Sequence, residues 1–302
     1  MKRKQNRLLR FNSDVAFDAV NVVLMVVLLG VFAWPLWFVV IASFSDPTAV
    51  SSGQVLLLPK GMSLEGFKAA FEQTLLWTGY RNSVLYTLGG TLLNLVLTVC
   101  CAYPLANREF VPRRFFLIMF MITMYFGGGM IPTYLIVKNT GLIDTPWAMI
   151  IPNAISFYNC LIVRSYFMNS IPKELNEAAT LDGANSFHYL IKVVLPLSKP
   201  VLAVVGLYYA VSHWNNYYSA LLYLRDTNLY PLQSVLRELL IVHEIAGGAL
   251  SSSDPELATL MFERSQLMKY AVIIIATLPM MALYPFIQKY FVKGVMVGSV
   301  KG

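Results

Sequence analysis

The densest cluster of hydrogen-bonding side chains in this sequence lies inside an apolar run. From Tyr208 to Ser219 the chain reads YYAVSHWNNYYS. At about 100° per residue, Tyr208, Tyr209, Ser212, His213, Asn215, Asn216 and Ser219 fall within an arc of roughly 160° on a helix. Leu207, Val211, Trp214 and Leu221 point the other way. A polar face at bilayer depth is costly against lipid and belongs against a bundle interior or a water-filled cavity. Tyrosine rings stack on sugar rings, and amide, hydroxyl and imidazole groups bond sugar hydroxyls. The same groups could instead bond neighbouring helices and hold a bundle together. A proton relay through His213 lacks its usual partners, because no Asp or Glu lies in any of the apolar runs.

A second constellation is polar and lies between two such runs. Glu177, Ala178 and Ala179 are followed by Thr180, Leu181, Asp182 and Gly183, then by nine residues and Val193-Val194-Leu195-Pro196. Ser170 is suited to cap a short helix with Pro172 in its first turn. Gly183 is suited to the left-handed residue that closes it. Asn185 or Ser186 can cap a second helix that runs to Leu195, before Pro196 interrupts it. The expected product is a helix–turn–helix over 170–196. Its alanines permit close approach by another protein, and Glu177 offers a fixed charge.

No GxxxxGK[ST], HExxH or GxSxG pattern occurs, so the sequence shows neither an ATP-hydrolysing loop nor an enzyme site. Cys100, Cys101 and Cys160 lie in apolar runs without metal-ligand spacing and read as packing residues.

The elements that carry these clusters follow from composition. Of 302 residues, 57% are hydrophobic and 13% charged, against about 25% charged in soluble domains. A spanning helix needs roughly 20 apolar residues. Six uncharged runs meet or approach that length: Val20–Ala42, Asn82–Ala106, Phe115–Val137, Thr145–Val163, Pro200–Leu224 and Tyr270–Ile287. The first is too long for a signal-peptide core and reads as a retained helix. Pro35, Pro104, Pro132, Pro152 and Pro279 kink such helices without ending them. Gly127, Gly128 and Gly129 predict a break near the outer end of the third run.

The expected fold is therefore an all-α integral membrane bundle of six spans. It forms one permease domain over 1–302: a cytoplasmic segment 1–19, a membrane region 20–287 and a cytoplasmic tail 288–302. The helix–turn–helix falls between the fourth and fifth spans. Fifteen of the 23 basic residues fall on the side of the termini, which places both termini in the cytoplasm. The net charge of +7 is then a consequence of topology, and a nucleic-acid role loses its support. Two long outer loops, 43–81 and 225–269, remain. The second is acidic, with Gly247, Gly248, Ser251, Ser252 and Ser253 at a flexible tip.

The pattern EAA-x3-G-x9-V-x-L-P resembles the coupling loop of ABC importer permeases, with Val193 in place of the commoner Ile. The resemblance runs along nearly the whole chain and is greatest to the carbohydrate-uptake permeases of the maltose type. Phe126–Leu135, His213–Tyr217 and Tyr230–Glu238 resemble the aldouronate or polysaccharide branch, which takes up oligosaccharides, often with uronic acids. The resemblance implies that Glu177, Ala178, Ala179, Asp182, Gly183, Leu195 and Pro196 engage a cytoplasmic ATPase subunit. It places sugar-contacting groups best at Ser212, His213 and Asn216, with Tyr208, Tyr209 and Asn215 along the same pathway. The implied partners are a second permease, two ABC ATPase subunits, an extracytoplasmic solute-binding protein, an oligosaccharide and the bilayer of a bacterial plasma membrane. The outer acidic loop would dock the binding protein, and the tail would reach the ATPases. No cofactor is expected on this chain, ATP being bound by the partner. The rival readings are a stand-alone secondary transporter, which would carry inverted repeats and buried ionisable residues, an integral membrane enzyme, and an ABC permease for a non-sugar solute.

Overall fold

A computed structural model describes the backbone of residues 2–239, 268–283, 285 and 288, and side chains from residue 14 onward. The glycine–serine tip of the second outer loop, its acidic residues Glu244, Asp254, Glu256 and Glu263, and the tail 289–302 lie outside the described residues. All regular structure among the described residues is helical. The chain divides into two compact units, Met1–Glu72 with His243–Ile275 and Gln73–Val242 with Ala276–Gly302.

In the first unit, α1 runs unbroken from Lys2 to Ser43. The segment 2–19 is thus helical and continuous with the first expected span. Pro35 sits inside it. Short helices α2 (Pro47–Ser51) and α3 (Glu65–Phe71) follow. Asp46 caps α2 by accepting from the Thr48 N–H at 2.8 Å and the Thr48 hydroxyl at 2.8 Å. These bonds favour its charged form and hold its carboxyl below the usual range. Phe44 packs on Phe67, with ring centroids 5.2 Å apart.

The second unit is built around α4 (Thr74–Ala106), which starts eight residues before the expected span at Asn82. Gly79, Ser83, Thr87, Gly90, Asn94, Thr98 and Ala102 recur every three or four residues and are all buried. Small and polar residues at this spacing let helices approach closely and bond across the contact. Two elements pack most extensively on α4: α7 (Phe157–Asn169) and α11 (Lys199–Trp214). Their shared core includes Ala102, Leu105, Cys160, Val163, Val201 and Val205. Arg164 donates to the Leu105 carbonyl at 2.9 Å, placing a cation at the C-terminus of α4.

Three expected spans are interrupted. The third is split into α5 (Arg113–Tyr125) and α6 (Met130–Asn139), bent by 114° across Phe126–Gly129. Gly129 has φ +87°, as the glycine run led one to expect. The fourth is not one helix: a 3₁₀ turn at Pro146–Met149 is followed by irregular backbone until α7 begins at Phe157. Pro152 falls in this gap and does not kink a continuous helix. The fifth ends at Trp214, and α12 (Tyr218–Tyr223) resumes after Asn215–Tyr217. The described part of the sixth is a helix over Met268–Leu283, which contains Pro279. Among the described residues, two straight helices, Asp14–Ser43 and Thr74–Ala106, are long and apolar enough to cross a membrane.

Candidate functional site

The polar stripe of α11 divides into two sets with different surroundings. Tyr209 and His213 are buried against α4. The Tyr209 hydroxyl lies 2.8 Å from Thr98 Oγ1 and accepts from the Ser156 N–H at 3.1 Å. His213 Nε2 lies 3.0 Å from Asn94 Oδ1, while Asn94 donates to the Asn153 carbonyl at 2.8 Å. This contact depends on Gly90: a Cβ there would lie 2.4 Å from His213 Nε2. Trp214, expected on the face away from the polar stripe, is buried too. It donates to the Ala276 carbonyl at 3.1 Å and meets Tyr80 edge-on. An indole N–H buried in a bundle requires such an acceptor, which explains the departure from the apolar-face expectation.

Tyr208, Ser212 and Asn216 turn instead into a cavity of about 220 Å³. Its other walls are Asn94, Asn153, Ile155, Ser156, Asn159, Tyr209 and His213. Asn159, on α7, is 6% exposed and lines the cavity; among the described residues its side chain makes no hydrogen bond, so its amide is offered to the cavity. Asn216 also accepts from the Ser219 N–H at 3.1 Å, starting α12. Asn215 is outside this wall; its amide donates to the Val211 carbonyl at 3.0 Å and caps the end of α11. The cavity therefore offers amides, hydroxyls, phenols and an imidazole, with no Asp, Glu, Lys or Arg among its lining residues. Asn94, Asn153 and Asn159 were missed by the sequence reading. The signal for Asn94 was present in the spacing of small and polar residues along α4.

At the far end of α11 lies the predicted helix–turn–helix. Helix α8 (Lys173–Leu181) begins after Pro172, which has extended backbone and no side-chain cap. Ser170 is not the cap: it ends α7, its N–H bonded to the Tyr166 carbonyl at 2.9 Å. Pro172 separates the two helices by barring α conformation at Ile171. The turn itself is as expected. Gly183 has φ +77°, its N–H bonds the Thr180 carbonyl at 3.0 Å, and the Ala184 N–H bonds the Ala179 carbonyl at 2.9 Å. This pair of bonds is the Schellman closure of a helix end. Asn185 Oδ1 then accepts from the His188 N–H at 2.8 Å and caps α9 (Ser186–Tyr189). A π turn at Leu190–Val194 leads into α10 (Leu195–Leu197), which contains Pro196. The chain bends by 81° into α11.

The hairpin is fixed from behind and bare in front. Tyr189 and Val194 are in the core shared by α4, α7 and α11. Tyr103 on α4 donates to the Ser186 carbonyl at 3.0 Å, and Tyr166 on α7 to the Leu197 carbonyl at 3.2 Å. By contrast Glu177, Ala178, Asp182, Gly183 and Pro196 are exposed, and Ala179 and Leu195 half-buried. Glu177 borders a groove of about 320 Å³ with Lys173, Arg108 and Glu109. Ala179, Asp182 and Gly183 border another of about 460 Å³ with His188 and Lys192. Leu181 and Phe187 flank the turn at 88% and 70% exposure. Two large apolar side chains so exposed on a polar hairpin mark a contact surface.

The all-helical architecture agrees with comparison to known proteins. Residues 76–297 match the family described as binding-protein-dependent transport system inner membrane component. The chain is 40% identical over 273 residues to the polygalacturonan/rhamnogalacturonan transport system permease protein YtcP of Bacillus subtilis, covering 89% of this chain and 92% of that one. It is 38% identical over 289 residues to protein LplC of the same organism, covering 95% of each. A crystal structure of a bacterial ABC transporter involved in the import of the acidic polysaccharide alginate contains a chain that superposes with TM-score 0.84 at 33% identity. The match covers 92% of this chain and 98% of that one. The chain belongs to the binding-protein-dependent inner-membrane component family. It is a non-catalytic permease subunit of an ABC importer, and ATP is hydrolysed by separate subunits.

Proposed function

We propose that this subunit conducts oligosaccharides, including uronic-acid-containing ones, as half of an ATP-driven pathway. The reading is supported by the carbohydrate importers named above among its relatives. Six spans with both termini in the cytoplasm are inferred from the six apolar runs and the distribution of basic residues. The broken third, fourth and fifth spans are compatible with that count, since irregular backbone is tolerated at membrane depth where it is buried or lines a cavity.

Glu177, Ala178, Ala179, Asp182 and Gly183 form the docking hairpin for an ATPase subunit, with Leu195 and Pro196 at its exit. Leu181 and Phe187 supply its apolar contact. Movement of the ATPase pair reaches α11 through the anchored second helix of the hairpin. Tyr208, Ser212 and Asn216, joined by Asn159, face the sugar hydroxyls. Tyr209 and His213 hold the cavity wall in place from behind, and Asn215 caps its helix. The remaining partners are a second permease, a second ATPase subunit and a solute-binding protein.

One observation carries this reading: a closed hairpin that exposes Glu177, Ala178, Asp182 and Gly183 together with Leu181 and Phe187. Purification of the chain from native membranes in mild detergent, with mass spectrometry of what accompanies it, tests it. Recovery of a second permease and an ATPase, the latter lost with Gly183→Asp or Glu177→Lys, is expected. Retention of the ATPase by both variants would overturn the docking role.

A further inference from the structure

The first outer loop carries an uncharged stretch, Pro47–Pro59, between Asp46 and Lys60. Within it Val55 is buried at 2% exposure, while the next three residues are bare: Leu56 at 63%, Leu57 at 65% and Leu58 at 72%. Their depth is fixed by one tie to α1 and another to the residues just beyond its end. The indole N–H of Trp37 donates to the Leu57 carbonyl at 3.0 Å. Higher up, the Lys60 N–H donates to Ser45 Oγ at 3.2 Å, and the Asp46 N–H to the Lys60 carbonyl at 3.0 Å.

Trp37 lies six residues before Ser43, the end of α1, which is about 9 Å along the axis. Helical side chains lean towards the N-terminus, so its indole reaches no higher than its own turn. The return from Leu57 to Lys60 takes three residues, a reach of about 10 Å in extended chain. The two measures agree. The loop dips back alongside the span, turns at the leucines, and climbs out to a lysine at the level of the helix end.

We propose that Leu56–Leu58 is a membrane anchor, sunk among the acyl chains of the outer leaflet beside α1. This rests on α1 being a span, as its apolar stretch Asp14–Ser43 indicates. Lipid is the occupant because the leucines lie at the depth of Trp37, inside the apolar run of the span. The lysine, higher up, marks the interface, where such residues settle.

The test is a nitroxide placed by Leu57→Cys in the assembled transporter, in lipid nanodiscs, after replacing Cys100, Cys101 and Cys160 by alanine. Collisions with oxygen, which concentrates in acyl chains, are compared with those of a water-soluble nickel chelate. A second label at Leu29→Cys, 68% exposed in the middle of α1, gives the reference for lipid. Oxygen dominating at both positions is the expected result. Nickel dominating at Leu57 but oxygen at Leu29 overturns the anchor alone. A Leu57 label shielded from both reagents overturns it in favour of a protein cover. Nickel dominating at Leu29 overturns the span and the anchor with it.

Discussion

At residue scale, two glycines make the sharpest demands. Gly183 closes the hairpin with φ +77°, a conformation that costs other L-residues about 1–2 kcal/mol. Asparagine tolerates it better than most. Gly183→Asn is therefore expected to keep more transport than Gly183→Ala at equal expression, measured as uptake of labelled sugar in cells. The space beside Gly183 is open, so crowding would not explain a defect. Gly90 differs, because its backbone is helical and the obstacle is the His213 ring. Gly90→Ala is expected to lower the thermal stability of the purified subunit, at a cost of about 1–3 kcal/mol for overpacking. Adding His213→Ala should recover part of that loss, which a double-mutant comparison of melting temperatures would detect. Gly183 was legible in the sequence because helix termination is a local matter. Asn159 was not, since its importance depends on which neighbour it faces across the bundle, and Asn94 left its trace only in the spacing of small and polar residues along α4.

At the scale of elements, the apolar runs foretold where helices lie better than where they stop. Averages over twenty residues pass over a single proline or asparagine, yet backbone at Ile150–Ser156 and Asn215–Tyr217 leaves the helix at such residues. Neighbouring side chains compensate, as Tyr209 does for the Ser156 N–H and Asn216 for that of Ser219. The same logic holds the outer segments together. Asp144, with φ +60°, accepts the backbone N–H groups of Arg225 at 2.8 Å and Asp226 at 2.9 Å, and donates its own to the Tyr223 carbonyl at 2.8 Å. The Asp226 bond is the leading cause that lowers the Asp144 carboxyl below its ordinary value, followed by the Arg225 bond. Because the folded state favours the charged form, this clip stabilises fully above the unfolded value of about 3.9. Its contribution fades as pH falls through the lower folded value. Melting curves between about pH 2 and 5 should show a step in the native chain that Asp144→Asn reduces.

At whole-molecule scale, α4 gathers the coupling hairpin, the cavity and the outer clip of 227–232 onto one scaffold. Its outer half serves the last of these: Asn82 donates to the Asn228 carbonyl at 2.7 Å and the Tyr230 carbonyl at 3.0 Å. Ser83 accepts from the Leu232 N–H at 2.8 Å. Asn94→Leu removes the amide in the middle of this scaffold and strands the Asn153 carbonyl and His213, a cost of about 1–3 kcal/mol per unmet buried group. Reduced stability and weakened uptake are expected together, in contrast to Asn159→Leu. That variant should raise the transport KM while leaving the melting temperature close to native, because among the described residues the Asn159 side chain has no bond to lose.

The length of α1 has a mechanical meaning. Forty-two residues without a break make a rod about 63 Å long, of which a bilayer core takes up about 30 Å. With α1 as a span, as proposed, the first eighteen residues, some 27 Å, would project from its basic end as a lever with its fulcrum at the membrane surface. A change of only about 10° in the tilt of the span would sweep the far tip through roughly 5 Å, about one helical turn. On that topology, small rotations within the bilayer would be delivered, magnified in distance, to whatever meets the amino terminus.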